Sequence, residues 1–255
     1  MRDLIKIELY KITKGRSKNV LIFSFIIMFL FSILSLKGTI DRNNDFYSNL
    51  LQFYDINYDL ILPISIGVFT LIFVCDEFKN KPIKNLIMSK YSRSSIIIAK
   101  YISILIAIIL AYIFTISIYT LISYFVSDKT PIYFNYKVAS RKDIIFNLLE
   151  YNLIVILYMA AIIAFSLMLG LIFKKQGISI LIYILVITFL TVVYSGLDKA
   201  EIPILRYTFM AASYIDDYIA VPGQFYTKIT NIIPIFSNVF LFLGIGTAVF
   251  NRYEY

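Results

Sequence analysis

The chain has 255 residues, 60% hydrophobic and only 16% charged, with a mean hydropathy of +0.80. Soluble domains run roughly 45–50% apolar and about 25% charged, and an excess of this size cannot be buried in a core of ordinary surface-to-volume ratio. With no histidine, one cysteine and a net charge of +8, the composition excludes Ser-His catalysis, imidazole metal sites, histidine proton relays and an intrachain disulfide. The solvent is partly lipid. The expected fold class is an all-α membrane protein, in one transmembrane domain over residues 1–255, with the positive charge in cytoplasmic loops rather than on a nucleic-acid surface.

Residues 1–19 predict an interfacial helix. Leu4, Ile5, Leu9 and Ile12 fall on one face, with Arg2, Lys6, Lys14 and Arg16 mostly elsewhere, a pattern that lies among the headgroups of an anionic leaflet. Such a helix either anchors the first span or also touches a cytosolic partner. A crossing needs about 20 apolar residues, and six segments qualify. The first is 20–36, expected to remain uncleaved because Ser35-Leu36-Lys37 is a poor small-residue cleavage site. The second, 60–75, is bounded by Asp59 and Asp76. The third, 96–126, contains Lys100 and is too long for one crossing, so its first turns stand in the cytosolic interface. The fourth and fifth, 152–173 and 178–194, form a tight hairpin about Lys174, Lys175, Gln176 and Gly177. The sixth, 232–250, contains Pro234, Gly244 and Gly246.

Lys and Arg settle the expected orientation. The termini and the second and fourth loops carry fifteen and the other loops nine, which puts both termini in the cytoplasm. The loop at 76–95 then faces the cytosol. Pro82 suits the first turn of a short helix, in which Ile83, Leu86 and Ile87 form an apolar stripe among Lys84, Asn85 and Lys90. That shape suits a filler between spans or a docking element for a cytosolic protein.

Glu77-Phe78-Lys79-Asn80, followed by Ser92-Arg93 and Ala99-Lys100, resembles the E-F-(R/K)-N-G-T, S-R and A-K pattern of ABC-2 type permeases. Lys6-Ile7-Glu8-Leu9-Tyr10-Lys11 is similar to that family's opening helix, and six spans with cytoplasmic ends match its fold over nearly the whole chain. Lys81-Pro82 departs from the usual Gly-Thr, which puts the local turn in doubt. The resemblance implies that this is the membrane subunit of an ATP-driven exporter. It implies a coupling helix around Glu77, Phe78, Lys79, Pro82, Ile83, Leu86 and Ile87, fixed against the bundle by Glu77, Arg93 and Lys100. It also implies external helices in the loop at 197–228. Within the family, the tyrosine- and isoleucine-rich chain is similar to permeases of bacterial peptide-export and lantibiotic-immunity systems, most narrowly to the exporter of staphylococcal phenol-soluble modulins.

The remaining motifs carry little chemistry. There is no G-x-x-x-x-G-K-[ST], so no cofactor is expected in this chain. ATP and Mg belong to a separate ATP-binding cassette ATPase, and the implied partners are that ATPase, a second permease subunit, membrane lipid and an amphipathic peptide cargo. Asp216-Asp217 lacks a second acidic cluster for metal work, and no carboxylate lies mid-span to couple ions. Ser103, Thr115, Ser117 and Thr120 either line a pathway or bond to their own backbone. A different function class stays open, that of a non-transporting membrane scaffold that sequesters a peptide toxin.

Overall fold

The computed structural model describes residues 1–15, 17–39, 46, 49, 50, 53, 57, 61–79, 91–127, 133, 134, 137, 138, 141–196 and 225–252. The long elements among these residues are seven helices: α1 (Arg2–Lys14), α2 (Ser17–Thr39), α3 (Leu62–Lys79), α4 (Arg93–Val126), α5 (Arg141–Phe173), α6 (Gln176–Gly196) and α7 (Phe225–Asn251). A two-residue antiparallel pairing, β1 (Tyr133–Phe134) with β2 (Lys137–Val138), sits between α4 and α5. The protein is an all-α membrane protein.

Among the described residues five helices, α2, α4, α5, α6 and α7, are long and apolar enough to cross a membrane. The segment predicted as the second span forms α3, but its last turn carries Asp76, Glu77 and Lys79. The expected loop at 76–95 is correspondingly shorter, since α3 continues through Lys79 and α4 starts at Arg93. Ser92 caps α4, its hydroxyl accepting from the Ser95 N–H at 3.2 Å. At 34 residues α4 is about 51 Å long, well beyond the ~30 Å hydrocarbon layer. Lys100 lies about 10 Å from its start, within the turns expected at the interface.

The spans differ in burial far more than in hydropathy. In the 18-residue spanning window of α5, 83% of the residues are buried, against 17% for the windows of α2 and α6. α5 is therefore the axial helix, packed on α3 and α7. Tyrosine hydroxyls bind the helices to one another: Tyr112 donates to Asn152 Oδ1 at 2.8 Å and Tyr101 to the Ala160 carbonyl at 3.2 Å, joining α4 to α5. Tyr183 of α6 donates to the Pro63 carbonyl of α3 at 2.6 Å. Gly67 makes that last contact possible, because a Cβ there would stand 1.9 Å from the Tyr183 ring. Gly246 of α7 packs against Leu171 of α5, whereas Gly244 faces open space.

The hairpin between α5 and α6 is tighter than expected, comprising Lys174 and Lys175 alone. Lys174 takes φ 55°, a left-handed conformation commonly given to glycine at a helix end. Cys75 is buried, its thiol 3.7 Å from Ser179 Oγ.

Helix α1 docks on the turns of α4 around Lys100 and Ser103. It packs along α4, where Ser103 Oγ lies 3.2 Å from the Ile5 carbonyl. Its buried stripe is Leu4, Glu8 and Ile12, while Ile5 and Leu9 of the expected apolar face are only half-buried. A glutamate thus occupies the centre of the docking face.

Candidate functional site

Three helices each turn charged side chains toward one point. Glu8 comes from the docking stripe of α1, with Lys11 one turn on. Glu77 comes from the last turn of α3, inward of Lys79, which is exposed. Lys100 shares a face of α4 with the buried Ile96, Ile97 and Ile104. Three of the four charges are almost fully enclosed, with side chains 1% (Glu8), 7% (Glu77) and 5% (Lys100) exposed. Lys11, at 28%, is the point where the cluster meets the surroundings.

The four groups form a closed ring. Lys100 Nζ donates to Glu8 Oε2 at 2.6 Å and lies 2.7 Å from Glu77 Oε1. Lys11 Nζ donates to Glu8 Oε1 at 2.5 Å and to Glu77 Oε1 at 2.9 Å. Each acid meets both bases, so the ring is electrically neutral. Desolvating a single charge costs several kcal/mol after relaxation, and only alternation of this kind makes such burial tolerable. The Lys100 ammonium also stands 4.7 Å from the centroid of the Phe73 ring, whose negative face attracts it. Glu77 Oε2 is buried with no hydrogen-bond partner among the described residues. A small cavity opens beside Glu77 and Lys100, walled by Val74, Phe78, Leu167 and Phe250.

Arg93 makes a second anchor. Its Nη1 donates to the Asn251 carbonyl at 2.8 Å and, more weakly, to the Phe250 carbonyl at 3.4 Å. A cation there meets the negative end of the α7 dipole and satisfies carbonyls that have no partner within the helix.

The structure thus brings Glu77 and Lys100 into contact, places Arg93 on α7, and sets Phe78 half-buried against the cavity. Pro82, Ile83, Leu86 and Ile87 lie outside the described residues, as does most of the expected external loop at 197–228. The hydroxyls considered for a pathway do not share one face. Ser103 and Thr115 are buried, Thr120 is half-buried and Ser117 is exposed. Each donates to the carbonyl four residues earlier, at 2.8, 2.9, 2.7 and 2.7 Å respectively. Glu8 and Lys11 were not anticipated as site residues. The available signal was a lone acid at helical spacing between Leu4 and Ile12, which an amphipathic reading assigns to the solvated face.

A family model described as ABC-2 family transporter protein matches residues 4–193. The chain belongs to the ABC-2 transporter family. The match runs from the first turn of α1 into α6, and so includes all four members of the ionic ring and Arg93. ABC-2 proteins of this kind are the membrane components of ABC transporters, and this chain is a multi-pass permease. No curated protein matches it.

Proposed function

We propose that this ABC-2 permease works with a separate cytosolic ATP-binding cassette ATPase to export a hydrophobic or amphipathic cargo. The loop at 76–95 carries its coupling element, and both termini are cytoplasmic. The observation that carries the reading is the anchoring of that segment at each end. On one side Glu77 is held by Lys11 and Lys100. On the other, Arg93 is held by the C-terminal carbonyls of α7. A push on the segment therefore reaches α1, α4 and α7 together, because a buried ionic ring cannot be stretched without exposing unpaired charge.

The ATPase binds ATP and its Mg²⁺, and its closure supplies that push; this chain contributes the lever and the pathway. The cargo class follows from the side chains on offer. The spans present aliphatic and aromatic groups, and the hydroxyls of Thr115, Ser117, Thr120 and Ser166 are bonded to their own helices. Polar solutes would find few partners there, whereas a cytolytic or antimicrobial peptide would, which agrees with the likeness to peptide-export and phenol-soluble modulin systems. A second permease subunit, identical or homologous, completes the pathway.

The test is Glu77→Ala in the reconstituted complex with its ATPase. Membrane insertion should be retained and cargo-stimulated ATP hydrolysis should fall. Stimulation equal to that of the unaltered complex would remove Glu77, and with it the proposed lever, from the mechanism.

A further inference from the structure

A groove of about 220 Å³ runs between α2 and α4, walled by Leu21, Ile22 and Phe25 on one side and Ala111, Phe114 and Thr115 on the other. It opens on the outside of the bundle, where Phe23, Leu110 and Phe114 are exposed. The walls offer no free polar atom, since the Thr115 hydroxyl is already donated to the Ala111 carbonyl at 2.9 Å. An apolar cleft of this kind, facing hydrocarbon, suits an alkyl chain and penalises any occupant with unsatisfied polar groups.

One end of the cleft is charged. Lys18 precedes Ile22 by one turn on the same face of α2, about 6 Å along the axis, and it is exposed. Lys14, exposed at the end of α1, lies just across the junction between the two helices. Among the described residues no carboxylate pairs with either lysine. Glu8 is committed to the buried ring, and Asp3 stands in the opposite, first turn of α1. Two unpaired cations at the mouth of an apolar cleft reproduce the order of parts in a phospholipid, an anionic headgroup followed by an acyl chain.

We propose that this groove binds one anionic phospholipid, its acyl chain between α2 and α4 and its phosphate over Lys14 and Lys18. The bound lipid joins the α1–α2 junction to α4. The site is separate from the coupling segment and holds whether or not the ATPase reading does.

The test uses native mass spectrometry of the delipidated full chain, offered dioleoyl phosphatidylglycerol or dioleoyl phosphatidylcholine. One phosphatidylglycerol should be retained at collision energies that strip phosphatidylcholine. Lys14→Gln with Lys18→Gln, which alters exposed residues only, should bring its retention down to the phosphatidylcholine level. Ala111→Phe, which fills the groove, should lower retention of both lipids. Glycerol phosphate in excess should fail to displace the lipid, because the headgroup alone forgoes the cleft. Equal retention of the two lipids, or retention unaffected by the lysine pair, would overturn the proposal. So would displacement by glycerol phosphate, or a lipid-free dimer with this face buried between copies.

Discussion

Lys100 of α4 and Glu8 of α1, 92 residues apart in the chain, meet at 2.6 Å with both side chains at most 5% exposed. The contact ties the N-terminal helix to the bundle. It also joins α1 to the segment expected to receive the ATPase, because the same ammonium lies 2.7 Å from Glu77.

Removing one member of such a ring leaves one net charge buried without compensation, at a cost of up to about 3–5 kcal/mol. Glu8→Ala and Glu77→Ala should each lower the temperature at which the detergent-solubilised chain loses its monodisperse peak. Combining Glu8→Ala with Lys100→Met should cost less than the sum of the two changes, since the double variant buries fewer orphan charges. Strict additivity, measured by size-exclusion after heating, would show that the two residues do not interact.

How much of this was legible in advance follows from the physics of each feature. Spans declare themselves through runs of apolar residues, so helices α2, α4, α5, α6 and α7 fall where hydropathy expects them. Hydropathy is nevertheless blind to which span is central. The 18-residue spanning windows of α5 and α4 have the same mean value, 2.6, yet 83% of the first and 50% of the second is buried. Lipid and protein interior reward the same side chains. Glu77 and Lys100 were visible only through a resemblance in motif, and Glu8 and Lys11 were not singled out, because a charge on an amphipathic helix is ordinarily solvated. What distinguishes Glu8 is its partner, 92 residues away, and no local pattern encodes that.

Gly67 offers an independent check on how α3 and α6 are packed. A methyl group there would overlap the Tyr183 ring, with 1.9 Å to Cζ, and that ring is held by its hydroxyl on the Pro63 carbonyl. Gly67→Ala should destabilise the chain by about 1–3 kcal/mol. Adding Tyr183→Ala removes the overlap, so the double variant should lose less stability than the sum of the two single changes. Full tolerance of Gly67→Ala alone would contradict the close approach of these helices.

Arg93 predicts a local effect. Its loss should leave the ring intact and loosen the end of α7, where it binds the Phe250 and Asn251 carbonyls. A surface interaction of a cation with a helix C-terminus contributes about 0.3–1 kcal/mol. In Arg93→Ala, amide hydrogen exchange in the last turn of α7 should therefore rise by up to about fivefold, while that of α1 stays as it was. A comparable rise in α1 would mean that the two anchors are not separate.

The central claim is that this permease is moved by another chain. The most direct measurement is a mild-detergent purification of the tagged protein from its own membranes, with and without crosslinking, followed by mass spectrometry of what accompanies it. The account predicts a near-stoichiometric soluble protein carrying a P-loop, crosslinked through residues 80–90. Repeated preparations without any ATPase, crosslinked ones included, would contradict it and leave a membrane scaffold that holds its ligand without transporting it.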